Sequence, residues 1–208
     1  MTQRRARLTL AALVLVSTLP VAASYLAYYA WPPQDRMNYG ELVPPAALPD
    51  GVLAGVAGQP PVAHAELRGR WTLVYAGQGT CAAECQRALY AARQARLVQG
   101  KEMGRIERLW LVTDDAAPPT ALLAGHDGLR VARAEPAWLE RLPGAERGDR
   151  LFLVDPLGNV MMRFPGDADI RGITRDLGRL LKYSALGRDE GARSVSTPIR
   201  TSAAEVVR

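Results

Sequence analysis

The 208-residue sequence predicts an α/β domain, a central sheet with flanking helices, preceded by one transmembrane helix. Three observations carry this reading. The stretch from Leu8 to Trp31 holds no charged residue, short β-branched and aromatic runs alternate with helix-forming stretches, and a late pair of apolar runs brackets a Pro-Leu-Gly turn. With 48% hydrophobic and 23% charged residues the chain has material for a core, which excludes wholesale disorder.

The uncharged run of 24 residues spans about 36 Å as a helix, against a hydrocarbon core of about 30 Å. Arg4, Arg5 and Arg7 precede it, Tyr25, Tyr28, Tyr29 and Trp31 close it, and Pro32-Pro33 stops it. By the positive-inside rule residues 1–31 are a cytoplasmic N-terminus and a membrane anchor, with the body of the chain outside. The rival is a cleaved signal peptide with small residues at Val21-Ala22-Ala23, but the apolar run continues past that point. In a cell with two membranes this is a single-pass protein of the inner membrane with a periplasmic C-terminal domain.

The anchor also explains most of the net charge of +5. Of the 26 basic residues three are those N-terminal arginines, which leaves 23 against 21 acids in the remainder. These are interspersed, with no basic stripe and no interleaved aromatics, so nucleic acid is not an expected partner.

Residues 32–65 are rich in Pro, Gly and Ala without sustained periodicity and read as an extended tether, within which Val52, Leu53 and Val56 are apolar enough to pack against something. Residues 187–208 are polar and turn-rich and read as a disordered tail. The compact domain is therefore expected over 66–186.

Within it, Trp71 to Tyr75 is a buried strand ending at Ala76-Gly77-Gln78-Gly79. Cys81 to about Gln99 lacks Gly and Pro and is heavy in Ala, Arg, Leu and Gln, which predicts a helix ended by Gly100. Leu109 to Thr113 is a second strand with Asp114-Asp115 at its exit, and Thr120 to Ala124 a short helix. Leu129 to Ala132 is a third strand, followed by a helical turn around Trp138 and Leu139. Leu151 to Val154 and Val160 to Phe164 flank Asp155 to Asn159 as a β-hairpin. Ile173, Leu177, Leu180 and Leu181 fall at helical spacing and close the domain with an amphipathic helix ending near Tyr183. This order is the thioredoxin-like one.

Two cysteines and two histidines are the whole soft-ligand inventory. Cys81, Cys85, His64 and His126 match no common zinc module, and at most one intrachain disulfide can form. Residues four apart share a helix face, and a thiol in the first turn lies near unpaired N–H groups that stabilise thiolate, so a depressed pKa is expected for Cys81. The pair can exchange dithiol and disulfide, bind a soft metal, or act as a staple. A four-residue loop closes little chain entropy, which favours redox or metal work over a purely structural role.

The other singled-out residues have plainer readings. His126, after the short helix, reads as a helix C-terminal cap carried by imidazolium, and is a further candidate metal ligand, beside which His64 and a thioether of Met161 or Met162 are weaker ones. His64 reads as a solvated loop residue. One of Met161 and Met162 must point into the core, Asp114-Asp115 caps the segment after its strand, and Arg87, Arg93 and Arg96 form a solvated helix face, the alternative being that they hold Cys81 as thiolate or dock an acidic partner.

The anchor, the strand ending in Tyr75, the C-x-x-x-C of Cys81 and Cys85, the Asp-terminated strand at Asp114 and the hairpin from Leu151 to Gly158 together resemble the SCO/SenC family of membrane-anchored, thioredoxin-like cytochrome c oxidase assembly factors. The resemblance covers about Glu66 to Tyr183. It implies a periplasmic protein that acts on oxidase subunit II or on another assembly factor, by thiol–disulfide exchange or by handling Cu(I), with Cys81 and Cys85 as catalytic residues and metal ligands. The chain departs from the family at its third copper ligand, a histidine before the final hairpin, because Glu146 to Arg150 contains none. Asp149 or Arg150 stands where a thioredoxin-type reductase has a cis-proline. The alternative is a non-catalytic thioredoxin-fold binding module, with a structural disulfide, that scaffolds a respiratory complex.

Overall fold

A computed structural model describes residues 3–30, 38–165 and 167–184. The expected tail 187–208, the first six residues of the expected tether and Trp31 lie outside the described residues. The chain divides into two compact units, Met1–Met37 and Asn38–Arg208.

The first unit is one helix, α1 (Gln3–Ala30), whose window Arg7–Ala30 is long and apolar enough to cross a membrane and has no buried residue. Its leucines and valines point outward on all sides, which suits lipid and not water. Ser17 and Thr18 turn their hydroxyls back onto the Leu13 and Val14 carbonyls at 2.9 and 2.8 Å. Hydroxyls satisfied within their own helix can sit in hydrocarbon.

The second unit is built on a six-stranded mixed sheet. Its strands are β1 (Glu41–Ala47), β4 (Trp71–Gly77), β5 (Ile106–Val112), β6 (Leu129–Arg133), β7 (Leu151–Val154) and β8 (Asn159–Phe164), in the order β1-β8-β7-β4-β5-β6. β2 (Val52–Leu53) and β3 (Val62–Ala63) form a second, two-stranded sheet. β4, β5 and β6 run parallel, with Tyr75 opposite Trp110 and Trp110 opposite Val131, whereas β7, β8 and β1 are antiparallel. Between neighbours on both sides, all seven residues of β4 are buried, as a continuous apolar run in a central strand requires.

Alternation along the strands separates two cores. On one face Leu73, Tyr75, Ile106, Trp110 and Leu153 meet α3 (Ala83–Leu97), through Ala88, Leu89, Ala92 and Ala95, and α6 (Ile170–Tyr183), through Ile173, Leu177 and Leu181. Asp169 caps the start of α6, its side chain accepting from Arg171 N, and the Arg105 guanidinium closes the end by donating to the carbonyls of Leu181 and Ser184, each at 3.0 Å. On the other face Val74, Ala76, Leu109, Leu111, Phe152 and Val154 meet Leu48, Leu53, Val62, Leu67 and Trp138. The last two come from α2 (His64–Leu67) and α5 (Pro136–Leu139).

The second face corrects the expected boundary at residue 66. Residues 41–65 are part of the domain: β1 pairs with β8, and the β2–β3 ribbon with Leu48 roofs the sheet. Each piece is too short to show a period, and Pro44-Pro45 in β1 removes two N–H donors, a pattern confined to edge strands. The register shifts at that proline pair, between Leu42 and Ala46. Glu41 anchors the strand with a bidentate ion pair to Arg163 at 2.8 and 2.9 Å. Leu53 is buried as expected and Val56 packs on the core, but Val52 is exposed.

Elsewhere the expected elements stand with small shifts. α4 (Thr120–Ala124) has the expected ends, α5 supplies the turn around Trp138, and β7 and β8 form the hairpin. Asp155 Oδ1 accepts from Leu157 N and Asn159 N at 2.9 and 2.8 Å, and Gly158 takes φ +91°.

Candidate functional site

The parallel strands end together, and the cysteines follow the end of β4. The loop from Gln78 to Thr80 is held to the end of β5, where Gly79 N donates to Asp114 Oδ1 at 2.8 Å. A side chain at Gly79 would strike the Ala116 carbonyl at 1.9 Å, so only glycine lets the two loops pass. Asp114 therefore ties down the segment that delivers Cys81. Asp115 pairs with Arg133 at 3.0 Å.

Cys81 then takes φ +50°, in the left-handed region, and donates its N–H to the Gln78 carbonyl at 3.2 Å. Its own carbonyl accepts from Gln86 Nε2 at 3.1 Å. This conformation cannot be helical, so α3 starts at Ala83, two residues later than expected. Cys85, not Cys81, therefore occupies the first turn, at a helix end whose N-cap, Ala82, has no side-chain acceptor.

Cys81 and Cys85 are joined as a disulfide with a Cα–Cα distance of 5.0 Å, and they are 2% and 3% exposed. A cleft of about 550 Å³ opens beside them, lined from the cysteine side by Gln78, Ala82, Glu84 and Cys85. Cys81 does not line it.

The far wall of the cleft is the segment Ala145 to Asp149. Ala145–Arg147 is one tight helical turn between Gly144 and Gly148, at φ +86° and +64°. Tyr75 pins it by donating its hydroxyl to the Gly148 carbonyl at 2.6 Å. Burial first, then the charges of Asp149 and Glu84, push the Tyr75 phenol up to about 12, so it is a neutral donor. The wall offers the hard oxygen donors of Glu146 and Asp149, the Arg147 guanidinium, which ligates no metal, and no imidazole. Among the described residues no group of three or more His, Cys, Asp or Glu is placed to hold a metal ion.

Neither histidine joins the cysteines. His126 lies between α4 and β6, beside Arg108, whose β-bridge partner is Leu129. That is the opposite end of β5 from the disulfide, about 13 Å away along the strand alone. It does not act as an imidazolium cap either, because burial first, then Arg108 and Arg93, lower its pKa. His64 is not a solvated loop residue: it is buried, its Nδ1 lies 2.8 Å from Asp50 Oδ1, and its ring meets Trp138 edge-on. The hydrogen bond to His64, then Arg68, lower the Asp50 pKa.

Met162 fills the core and Met161 is partly buried, as strand alternation requires. Arg87 is exposed and paired with Glu84 at 3.1 Å. Arg96, in contrast, is tied to the Ile106 carbonyl at 2.8 Å, so the arginines of α3 are not one solvated face. Tyr75 as the pin of the cleft wall was missed by sequence reasoning. The one available signal was the glycine pair at 144 and 148, which brackets a turn three residues long.

The arrangement is a disulfide-bonded cysteine pair at the carboxyl ends of the parallel strands β4 and β5, beside a cleft. A family model described as transmembrane-like, thioredoxin-like, C-terminal domain matches residues 71–184. No curated protein matches the chain at a significant level. Among solved structures, the chain is similar to copper-bound ScoI of Bradyrhizobium japonicum, at 20% identity and a TM-score of 0.51 over 64% of this chain and 99% of that one. Apo Sco1 of Thermus thermophilus matches at 18% identity and a TM-score of 0.56, over 71% and 99% of the two chains. A thiol:disulfide interchange protein of the thioredoxin family from Chlorobium tepidum matches at 18% and 0.52, over 67% and 98%. At these identities the likeness shows a shared thioredoxin-like fold. Because the matched segment is more than half of the sequence, the chain belongs to the family of transmembrane-like proteins with a thioredoxin-like C-terminal domain.

Proposed function

We propose that the protein is a membrane-anchored, periplasmic assembly factor for cytochrome c oxidase that works by thiol–disulfide exchange at Cys81 and Cys85. The observation that carries this is the Cys81–Cys85 disulfide beside a cleft whose opposite wall, Ala145 to Asp149, has no imidazole or sulfur side chain. Likeness to Sco proteins and to a thiol:disulfide interchange protein supports the oxidase setting and the redox chemistry.

In the exchange, a thiolate of the reduced pair attacks a client disulfide, giving a mixed disulfide and one client thiol. The second cysteine then displaces the other client sulfur, so the client gains two electrons and two protons while Cys81–Cys85 closes. An external dithiol donor returns the pair to its reduced form. The client is a cysteine pair on oxidase subunit II or on another assembly factor. Cys85 is the sulfur that meets it, because Cys85 lines the cleft and Cys81 does not.

Copper is a second cargo of the reduced pair. Two thiolates suit Cu(I), whereas retention of Cu(II) calls for an imidazole that the wall from Ala145 to Asp149 lacks.

One observation favours the alternative of a non-catalytic binding module, namely the near-complete burial of both cysteines. The reduction potential separates the two readings. An exchangeable pair lies well above about −300 mV, and a structural staple lies below it. Under the exchange reading, Cys81→Ser accumulates a mixed disulfide on Cys85 in non-reducing gels of membranes. A potential below that limit, with no trapped species in either single cysteine variant, would establish the staple.

A further inference from the structure

Away from the disulfide, the domain buries positive charge that the exchange chemistry does not use. Arg108 sits third in β5 with Ile106 and Trp110 on its side of the sheet, the side covered by α3. It is 2% exposed. Its Nη2 donates to the Asp127 carbonyl, but Nε and Nη1 are buried without a partner. His126, 8% exposed, likewise buries Nδ1 unpartnered.

Two more cations face this place from α3. Arg96 is partly engaged by the Ile106 carbonyl, and Arg93 has no hydrogen bond or ion pair among the described residues. Both bear on Arg108, whose pKa is depressed to about 10 by burial first and then by Arg96 and Arg93. Two carboxylates oppose them, Glu107 and Asp127, and Glu107 is ion-paired with Arg70. Buried donors without acceptors are rare, and like charges gathered around them compound the cost. An anion bearing several acceptor oxygens removes such defects, because different oxygens can accept from Arg108 and from His126.

We propose that Arg93, Arg108 and His126 form a binding site for a phosphate group, free or esterified, at the end of the sheet opposite the disulfide. Arg108 offers Nη1–H from β5, His126 offers Nδ1–H from the α4–β6 loop, and Arg93 adds its charge from α3. A doubly charged oxyanion suits this excess of cations better than a single carboxylate does. The site stands independently of the cysteine chemistry.

The test uses the full chain in micelles of an uncharged detergent. Calorimetric titrations compare inorganic phosphate with glycerol 3-phosphate, a soluble counterpart of a lipid headgroup, against a chloride background of equal ionic strength. Saturable binding is expected, weakened about tenfold or more in Arg93→Gln and in His126→Gln. It is unchanged in Arg87→Gln, an exposed position on the same helix. The sequence has two histidines, so NMR of the imidazoles supplies an internal control. Phosphate moves the His126 resonances and leaves those of His64 in place. Clearly tighter binding of glycerol 3-phosphate assigns the site to an esterified headgroup, and equal or weaker binding assigns it to free phosphate. Absence of saturable binding, equal binding by the Arg93 and Arg87 variants, or matching shifts of both histidines overturns the site.

Discussion

Tyr75 shows how one side chain links the core of the domain to its cleft. Its ring packs in the core beneath α3, with the Trp110 ring 6.5 Å away, while its hydroxyl holds the Gly148 carbonyl. Gly77 makes room for it, since a Cβ there would meet the hydroxyl at 2.5 Å. The folded phenol is raised to about 12, against an unfolded value of about 10. A raised pKa means that the folded state holds the proton more tightly, so the stability it contributes is complete below about pH 10 and lost as pH climbs towards about 12. Tyr75→Phe is expected to cost about 1 kcal/mol at neutral pH, from the lost hydrogen bond. The variant should also lose part of the alkaline fall in stability. Thermal melts of both proteins at pH 8 and pH 11 check this, and a melting difference that stays the same at both values would count against the assignment.

At the scale of elements, the turn from Ala145 to Arg147 decides which side chains face the cleft. Both flanking glycines take positive φ, and Tyr75 fixes the turn to the sheet, so the wall presents the side chains of Glu146 and Arg147 from a defined position. The reduced protein is expected to bind one Cu(I), to lose it in Cys81→Ala, and to fail to retain Cu(II) through gel filtration. Arg147→His should then confer Cu(II) retention with a thiolate-to-copper absorption band, and its failure to do so would show that the wall does not reach the sulfurs. How far such elements were legible depends on their length. β4, α3, the hairpin and α6 announce themselves because seven or more residues keep one period or one buried run. β1, β2, β3 and α2 were hidden in an apparent tether, since two to seven residues with prolines among them show no period. Their burial is decided by the sheet face they cover. The cysteine pair was legible for the same local reason, four residues at a strand-to-helix junction. The left-handed Cys81, which moves Cys85 into the first turn, was not, because the hydrogen bonds around it run to Gln78 and Gln86 and leave no periodic trace. The separation of His126 from the cysteines follows from the direction of β5, a property of the sheet and not of any local sequence.

At the scale of the whole molecule, two units of opposite solvent preference share one chain. Across the window Arg7–Ala30 the mean hydropathy is 2.0, and none of it is buried within the protein, so its surroundings must supply the apolar contacts that neighbouring elements do not. The second unit closes its own core on both faces of the sheet and has no comparable need. By the positive-inside rule Arg4, Arg5 and Arg7, with no acid before Trp31, are expected to resist transfer across the membrane and to leave the N-terminus on the cytoplasmic side. On the proposed topology the cysteines lie in the compartment where a disulfide persists, which the proposed exchange needs. A periplasm-dependent reporter such as alkaline phosphatase, fused after Arg208, is accordingly expected to be active, and a cytoplasm-dependent one at the same position inactive. Replacing Arg4, Arg5 and Arg7 with glutamate should weaken or invert that preference, because the charge asymmetry, and not the length of the apolar run, sets the direction. Activity of the cytoplasmic reporter on the native sequence would place Cys81 and Cys85 among reducing thiols and remove the basis for their exchange chemistry.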